Sequence, residues 1–250
     1  MNVNSLNILY EDSHIVVCIK PAGVPTQSSR VGAPDMVSLL KNHLYQQMIK
    51  KQEPYLGVIH RLDQPVEGVL VFAKTPFAAK ELSRELTGRG FGKHYHAMVL
   101  GCPEKSEATL EDYLVKDGRT NTSRICTPDT PGAKKACLHY HVIPVPAACS
   151  ETQLSASNDD EKPPVPNESK TPSSPGISLL DITLETGRHH QIRVQLAHMG
   201  NPILGDKKYG ADQLPALYSD HNKLELCAYK LEFHHPKTKK AMTFTHPSEK

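Results

Sequence analysis

Short runs of apolar and β-branched residues recur along the chain and predict a protein built mainly from β-strands. The first two runs, Leu6–Tyr10 and Ile15–Ile19, are separated by a short polar turn, which is typical of a β-hairpin. Later runs of the same kind predict strands at Val69–Ala73, Tyr95–Leu100, Lys135–Val145, Ile177–Leu184, Leu224–Phe233 and Ala241–Thr245.

Other segments have the spacing and end signals of helices. Within Met36–Ile49 apolar residues recur at intervals of three and four, and Asp35 is placed to cap the first turn. A second helix is predicted to begin after Thr75, with Pro76 in its first position, and to end at Gly88. Strands with helices spread between them predict an α+β fold, a mixed, mainly antiparallel β-sheet core with flanking helices and loops.

Composition adds one exception to this picture. With 250 residues, 38% hydrophobic and 22% charged, the chain fits a globular protein, and we expect residues 1–250 to form a single domain. The segment Glu151–Gly176 differs, since it holds five Pro, five Ser and five acidic residues. We therefore expect residues 151–176 to form a disordered surface insertion.

The net charge of +2 hides an uneven distribution. Because the segment 151–176 holds two basic and five acidic residues, the rest of the chain carries 27 basic against 22 acidic residues. No apolar run approaches the ~20 residues that cross a bilayer. The N-terminus also lacks the pattern of a secretion signal. These observations predict a cytoplasmic protein that does not contact membranes.

A first candidate site is the motif His60-Arg61-Leu62-Asp63, which precedes the strand at Val69–Ala73. A neighbouring guanidinium would keep the Asp63 carboxyl ionised, and an ionised carboxylate can act as a nucleophile or stabilise a cationic sugar. Spacing alone favours the simpler interpretation, an Asp–Arg pair that fixes a turn.

A second candidate lies in the strand that includes Tyr95. Alternation places Lys93, Tyr95 and Ala97 on one face and His94 and His96 on the other. Tyr95 could stack on a base while the Lys93 ammonium meets a phosphate, although a tyrosine that fills the core is the simpler interpretation. Since no third ligand is spaced to join the two histidines, no metal site is predicted.

A third candidate begins at Gly187 and leads into a predicted helix. Arg188, His189 and His190 would lie at its N-terminus, where positive side chains oppose the helix dipole. The arrangement predicts either an anion such as phosphate at this end or a solvated basic helix start.

In their order along the chain, these motifs resemble the RluA-type pseudouridine synthases. The motifs that match are His60-Arg61-Leu62-Asp63, Lys93-x-Tyr95-x-Ala97 and Gly187-Arg188-x-His190-Gln191-Ile192-Arg193. Lys20-Pro21-Ala22-Gly23 resembles an early motif of the family, and Pro202-Ile203-Leu204-Gly205-Asp206 with Tyr209-Gly210 resembles its closing motif.

The resemblance implies an isomerase that converts specific uridines of structured RNA, ribosomal or transfer RNA, into pseudouridine by flipping the base out of the helix. Asp63 would attack the uridine at its sugar, Tyr95 would pack against the uracil, and Arg193 would form a salt bridge with Asp63. Residues implied in substrate or RNA binding are His60, Arg61, Lys93, Arg188, His190, Gln191 and Ile192. No metal, cofactor or obligate protein partner is implied, and a monomer is expected.

Some features depart from the family. Ile19 stands where many members have Asn, and Pro65-Val66-Glu67 replaces the commoner small hydroxyl residues, which adds a carboxylate near the site. Many relatives begin with a small S4-type RNA-binding domain, and because the first predicted strand starts at Leu6 we expect none here.

Two other functions are considered. The first is an RNA chaperone that keeps the fold without the chemistry, which intact Asp63, Tyr95 and Arg193 disfavour. The second is a glycosidase or nucleoside hydrolase with Asp63 and Glu67 as paired carboxylates. Pro65 disfavours the helix that would place those two carboxylates on one face.

Overall fold

One continuous sheet dominates the structure, a computed structural model that describes residues 6–28, 32, 34–49, 52–88, 90–144, 176–210 and 221–247. The sheet has 11 strands, and three helices lie beside it within the described residues. Of the predicted insertion 151–176, all but Gly176 lies outside the described residues. None of the three helices is long and apolar enough to span a membrane.

The strands are named in chain order. They are β1 (Asn7–Glu11), β2 (Ile15–Lys20), β3 (Gly57–Val58), β4 (Glu67–Ala73), β5 (Gly92–Leu100), β6 (Glu107–Asp117), β7 (Thr122–Cys126), β8 (Lys134–Ile143), β9 (Ile177–Leu184), β10 (Leu226–His234) and β11 (Ala241–Thr245). Their order across the sheet is β1-β2-β4-β10-β5-β9-β8-β6-β7, with β3 beside β4 and β11 beside β10. Among the strands of the described ranges, β4 and β10 alone pair in parallel, so the predicted mixed, mainly antiparallel sheet is confirmed.

The first two helices begin where their capping signals predict. Helix α1 spans Met36–Gln47, and the Asp35 side chain accepts from the Ser38 N–H in a capping box. Helix α2 spans Pro76–Thr87, starts at Thr75 and ends at Gly88. Helix α3 spans Gln191–His198, so Arg188, His189 and His190 lie at its N-terminus as predicted. His190 is the N-cap, and its left-handed backbone forms a turn ahead of the helix.

The two faces of the sheet bury different apolar clusters. One cluster packs α1 and α3, with Ile192 of α3, against residues of the central strands, including Phe72, Tyr95 and Leu180. The other packs α2 against the opposite face of β2, β4 and β10. Since Tyr95 and Ile192 belong to the first cluster, that face of the sheet carries the second and third candidate motifs.

A glycine allows the parallel pair to form. Gly68 lies opposite Ala228 in the β4–β10 register and has φ +146°. A Cβ at this position would lie 2.4 Å from the Ala228 carbonyl oxygen, so any other residue would push the strands apart. The loop that carries Asp63 enters β4 here, and the close pairing therefore brings this loop beside the central strands.

The sequence did not predict β3, β6 or β7. Strand β6 alternates between exposed and half-buried positions and contains Glu107, Glu111, Asp112 and Lys116, so it lacks the apolar run used to recognise strands. It pairs with β7 through residues 113–117 and 122–126. These two strands are called the β6–β7 hairpin below.

Candidate active site

Asp63 lies in the short loop between β3 and β4. Its main-chain carbonyl accepts from the Val66 N–H at 3.0 Å, which closes a turn. Its side chain is 28% exposed, whereas the Arg193 side chain beside it is only 5% exposed. A partly exposed carboxylate among buried charged groups is accessible to a substrate while its position is held by the protein.

A buried lysine fastens the Asp63 loop. Lys20, at the end of β2, is fully buried, and its ammonium donates to the carbonyls of Pro21 at 3.0 Å, Val24 at 2.7 Å and Gln64 at 3.0 Å. Burial lowers the pKa of Lys20 to about 8, although the nearby Asp63 carboxylate acts in the opposite direction. The motif Lys20–Gly23 therefore holds the residue next to Asp63.

Further hydrogen bonds join the same two segments. The Thr26 hydroxyl donates to the Leu62 carbonyl at 3.0 Å and accepts from the Leu62 N–H at 3.2 Å. The Gly23 N–H also donates to the Gln64 carbonyl at 2.9 Å. Asp63 thus stands between two residues whose main chains are both fixed.

Replacing Lys20 by methionine should loosen this loop. The variant fills similar space but removes the ammonium donor from the Pro21 and Val24 carbonyls and leaves the Gln64 carbonyl with the Gly23 N–H alone, so we expect the free energy of unfolding to fall by about 2–3 kcal/mol. Denaturant unfolding of the pure protein measures the change. Lys80→Met on the exposed side of α2 is the matched control, with an expected change within about 0.5 kcal/mol. Equal stability of both variants would contradict this role of Lys20.

Arg193 contacts two carboxylates, and Asp206 is the nearer. Its Nε and Nη2 donate to the two carboxylate oxygens of Asp206, both at 2.7 Å, and the Asp206 side chain is fully buried. Its Nη1 lies 3.6 Å from Oδ2 of Asp63. The implied salt bridge with Asp63 is therefore present but secondary, because a bidentate, fully buried pair is the stronger interaction.

A glycine turn places Asp206. Gly205 has φ +77°, and a Cβ there would lie 1.8 Å from the Lys223 carbonyl oxygen, so only glycine fits. The Asp206 carboxylate also accepts the main-chain N–H groups of Lys208 at 2.9 Å and Tyr209 at 3.2 Å. This turn fixes the carboxylate that orients Arg193.

His190 stands between Asp63 and Tyr209. Its Nε2 lies 3.7 Å from Oδ2 of Asp63, and its Nδ1 lies 2.7 Å from the Tyr209 hydroxyl oxygen. Burial, followed by the charge of Arg193, lowers the pKa of His190 to about 3, so the ring is neutral near pH 7. The resemblance implied contact with RNA, whereas the ring is buried and faces the carboxylate.

Tyr95 and Ile192 form an apolar surface near the carboxylate. The predicted alternation along β5 is confirmed, since Lys93, Tyr95 and Ala97 are all buried. Burial and then the Asp63 charge raise the pKa of Tyr95, so the phenol is neutral. Its hydroxyl makes no hydrogen bond with another described residue, and its ring, only 7% exposed, belongs to the same buried apolar cluster as Ile192.

The pKa of the Asp63 carboxyl is set by opposing effects. Burial raises the pKa of Asp63 above its ordinary value, while the charges of Arg193 and Lys20 lower it and that of Asp206 raises it. The sequence predicted that a neighbouring guanidinium would keep Asp63 ionised. Arg193 supplies such a guanidinium, with its Nη1 3.6 Å from Oδ2 of Asp63, and it acts against the desolvation that raises the pKa.

The remaining predicted residues differ in their surroundings. Arg61 is exposed, while Lys93 is buried, and the neighbouring Arg188 charge adds to burial in lowering the pKa of Lys93. The Arg188 guanidinium donates to the Lys135 carbonyl at 2.8 Å. The His60 ring packs edge-on against Phe91, with centroids 5.8 Å apart, and burial and the Lys93 charge lower its pKa to about 3.

Gln191 is occupied by protein partners. Its amide oxygen accepts from the Thr186 hydroxyl at 2.7 Å and the Arg188 N–H at 3.0 Å, and its amide nitrogen donates to the Cys137 carbonyl at 3.1 Å. These bonds hold the turn ahead of α3, so any contribution of Gln191 to RNA binding would be indirect.

Glu67 does not pair with Asp63 as a second catalytic carboxylate would. It begins β4, and its carboxylate lies 3.0 Å from the His246 ring nitrogen. Because Asp63 lies in a turn and Glu67 begins a strand, the i, i+4 arrangement of a helix is absent at this point. No three His, Cys, Asp or Glu side chains within the described residues gather as a metal site would require.

Comparison with known proteins shows the family of the chain. The family described as RNA pseudouridylate synthase matches residues 14–198, which include Lys20, Asp63, Tyr95 and Arg193. The chain belongs to the RNA pseudouridylate synthase family. An uncharacterized RNA pseudouridine synthase of Bacillus subtilis is 31% identical over 93% of this chain and 65% of the relative. The ribosomal large subunit pseudouridine synthase D of Nitrosomonas europaea is 32% identical over 97% of this chain and 62% of the relative.

Solved structures share the pseudouridylate synthase fold. Human RNA pseudouridylate synthase domain containing 1 has a TM-score of 0.68 and 21% identity, covering 99% of this chain and 85% of that one. Human RNA pseudouridylate synthase domain containing 4 has a TM-score of 0.69. The chain spans 62–65% of the length of the curated relatives named above.

The sequence did not predict which residues hold the side chains of this site in place. Lys20, Asp206 and Tyr209 lie in the recognised motifs, but nothing in their spacing reveals that they meet Asp63, Arg193 and His190. A buried Asp directly after a glycine, as in Gly205-Asp206, is the signal that could have pointed to the Arg193 partner.

Proposed function

We propose that the chain is an RNA pseudouridine synthase that isomerises uridine in structured RNA. The observation that carries the proposal is the half-buried Asp63 carboxylate near the Tyr95 ring, with Arg193 and His190 within 3.7 Å of its Oδ2. We propose further that residues 1–250 act as one catalytic domain and that the protein is a cytoplasmic monomer.

The reaction moves one glycosidic bond within the same nucleotide. The Asp63 carboxylate attacks C1′ of the flipped uridine, and the bond between N1 and C1′ breaks. The detached uracil turns, and its C5 forms a bond to C1′ while the carboxylate leaves. The C5 proton is lost and N1 gains one, so the atoms of substrate and product are the same.

The surroundings of Asp63 suit this chemistry. Arg193 and Lys20 supply positive charge near a carboxylate that must be ionised in order to attack. Because the uracil stays bound while it turns, it needs a flat, apolar surface, and Tyr95 with Ile192 supplies one. The neutral phenol of Tyr95 can pack against the base in both orientations.

Basic side chains near the site suit the RNA backbone. Burial, then the charges of Lys116 and Lys208 and, more weakly, that of Arg61, lower the pKa of His189 to about 4, so these cations lie near His189. All three side chains are exposed. The name of the Nitrosomonas relative specifies the large ribosomal subunit, which favours ribosomal over transfer RNA as the substrate class.

Arg61→Ala should weaken RNA binding without changing stability. Loss of one phosphate contact should lower affinity at low salt and reduce the slope of log affinity against log salt by about 1. Filter binding to ribosomal RNA between low and physiological salt measures both quantities. Lys80→Ala on the opposite side of the sheet is the control with an unchanged slope, and equal slopes for both variants would contradict the role of Arg61.

Mapping pseudouridine in total RNA tests the proposed activity. RNA from cells without the gene should gain pseudouridine at defined uridines on incubation with the pure protein, and cellular RNA should lack it at the same uridines when the gene is absent. The absence of any site that responds to the protein would refute the proposal. Free uracil would indicate a hydrolase, and binding without any reaction would indicate a chaperone.

A further inference from the structure

We propose that His190 is a positioning residue that donates its Nε2–H toward Asp63, and that the Tyr209 hydroxyl sets this tautomer. The Tyr209 hydroxyl is held in turn by the Ser123 N–H of the β6–β7 hairpin. The proposal rests on the proposed function, because it assigns a task to the ring beside the attacking carboxylate.

The hydrogen bonds of Tyr209 have one consistent direction. The Ser123 N–H, which can only donate, reaches the Tyr209 hydroxyl oxygen at 2.8 Å. The hydroxyl hydrogen is therefore free to be donated, and Nδ1 of His190 lies 2.7 Å from the same oxygen. Within the described residues no other acceptor lies at hydrogen-bond distance from this hydroxyl, so Nδ1 of His190 is its acceptor.

This direction fixes the proton on the ring. A neutral imidazole carries one N–H, and the lowered pKa of His190 keeps its ring neutral near pH 7. With Nδ1 as acceptor the proton is on Nε2, which lies 3.7 Å from Oδ2 of Asp63. The other tautomer would aim a lone pair at the carboxylate and leave the Tyr209 hydrogen without an acceptor.

The backbone of His190 also has an unusual conformation. His190 has φ +54°, a left-handed conformation that is unusual for a residue other than glycine. Its ring stacks on His189 at a centroid distance of 3.8 Å, and Nδ1 of His189 lies 2.9 Å from the Ser123 hydroxyl. Both histidines are thus connected to Ser123, which keeps the ring of His190 aimed at Asp63.

Substitution of His190 should alter catalysis in a pH-dependent way. The other charged or titratable groups that act on Asp63 are Lys20 on β2, Tyr95 on β5, Arg193 on α3 and Asp206 in the following turn. Because a donor to the ionised carboxylate favours that form, its loss raises the pKa of Asp63. The acid limb of the pH–rate profile should then move to higher pH.

His190→Asn and His190→Gln separate donation from structure. Asparagine tolerates the left-handed backbone but does not reach Asp63, whereas glutamine carries an amide N–H to about the position of Nε2. We expect His190→Asn to lower kcat about tenfold with KM unchanged and to shift the acid limb, and His190→Gln to restore most of both. An unshifted acid limb in His190→Asn would overturn the proposal.

Tyr209→Phe tests whether the Tyr209 hydroxyl sets the tautomer of His190. It keeps the ring beneath the Arg193 guanidinium, 5.2 Å from the ring centroid, and removes only the hydroxyl. A smaller loss of kcat and a shift of the acid limb in the same direction are expected. Tyr229→Phe is the matched control, since its hydroxyl donates to Asp181 on the opposite face of the sheet, and it should behave as wild type.

Nitrogen NMR of the ¹⁵N-histidine-labelled full chain tests the tautomer without RNA. The expected result is a protonated Nε2 and an unprotonated Nδ1 for His190, with a mixture of tautomers in Tyr209→Phe. A protonated Nδ1 in the wild type would overturn the proposal even if the enzyme is active. Failure of the wild type to isomerise any RNA would instead refute the proposed function and leave the tautomer as measured.

Discussion

Asp63→Asn should abolish isomerisation while the protein remains folded. Asparagine has the same shape but cannot form the covalent bond to C1′, so we expect the rate to fall by at least about 10⁴-fold. The pseudouridine content of ribosomal RNA incubated with each protein measures the loss. Glu53→Gln is the control, because it removes one exposed carboxylate that contacts Lys41 and should retain full activity.

The same variant should be no less stable than the wild type. A carboxyl whose pKa is raised on folding favours its protonated form in the folded state, so this group contributes stability at low pH that is lost as the pH rises through its pKa. At neutral pH the amide therefore removes a cost. Denaturant unfolding should show an equal or higher midpoint, and a marked loss of stability would mean that Asp63 is a structural ion-pair partner instead.

Asp206→Asn should cause the largest loss of stability among the site variants. Arg193 and Asp206 are both buried and joined by two hydrogen bonds, and removal of the Asp206 charge leaves the guanidinium with only the more distant Asp63 carboxylate, at 3.6 Å. We expect the free energy of unfolding to fall by about 3–5 kcal/mol, a large share of the ~5–15 kcal/mol typical of a domain. Denaturant unfolding measures the effect directly.

The control for Asp206 also contacts α3. Asp112 accepts from the Gln195 amide at 2.7 Å but is only partly buried, so Asp112→Asn should cost about 1 kcal/mol or less. A second result separates the two carboxylates of the site. Because the Asp206 charge raises the pKa of Asp63, Asp206→Asn should move the acid limb of any remaining activity to lower pH. Equal stability of the two variants would contradict the role assigned to Asp206.

The sequence predicted those elements whose signals are local. The capping residues Asp35 and Thr75 mark real helix starts, and Ile177–Leu184 and Ala241–Thr245 are strands with the predicted bounds. Strand β6 was missed because its charged and apolar residues do not separate cleanly between faces. The left-handed backbone of His190 at the start of α3 was not predicted, because no local sequence signal records it.

The site was predicted in part for a similar reason. Asp63, Tyr95 and Arg193 were found because each belongs to a compact motif. The partners that fix them come from distant segments, such as Lys20, which holds the loop of Asp63, and Asp206, which binds Arg193. The direction of the Asp63 pKa also depends on how deeply the fold buries it, which spacing along the chain does not define.

Three segments that are distant in sequence thus determine the state of one carboxylate. The end of β2 fixes its loop, the turn at Gly205 orients Arg193, and the β6–β7 hairpin reaches His190 through Tyr209. The hydrogen bonds between Arg193 and Asp206 are buried, where their loss costs most, and those of Lys20 with Gln64 and of Tyr209 with Ser123 are partly buried. The variants above therefore separate attack by Asp63 from the support of its neighbours.

Release of tritium from RNA labelled at C5 of uridine tests the central claim most directly. Isomerisation replaces the bond from C5 to hydrogen by a bond to C1′, so each turnover should release one tritium to water. The wild type should release one tritium for each pseudouridine found in the digested RNA, and Asp63→Asn should release none. Labelled uracil that still carries its tritium, or no release from any cellular RNA, would contradict it.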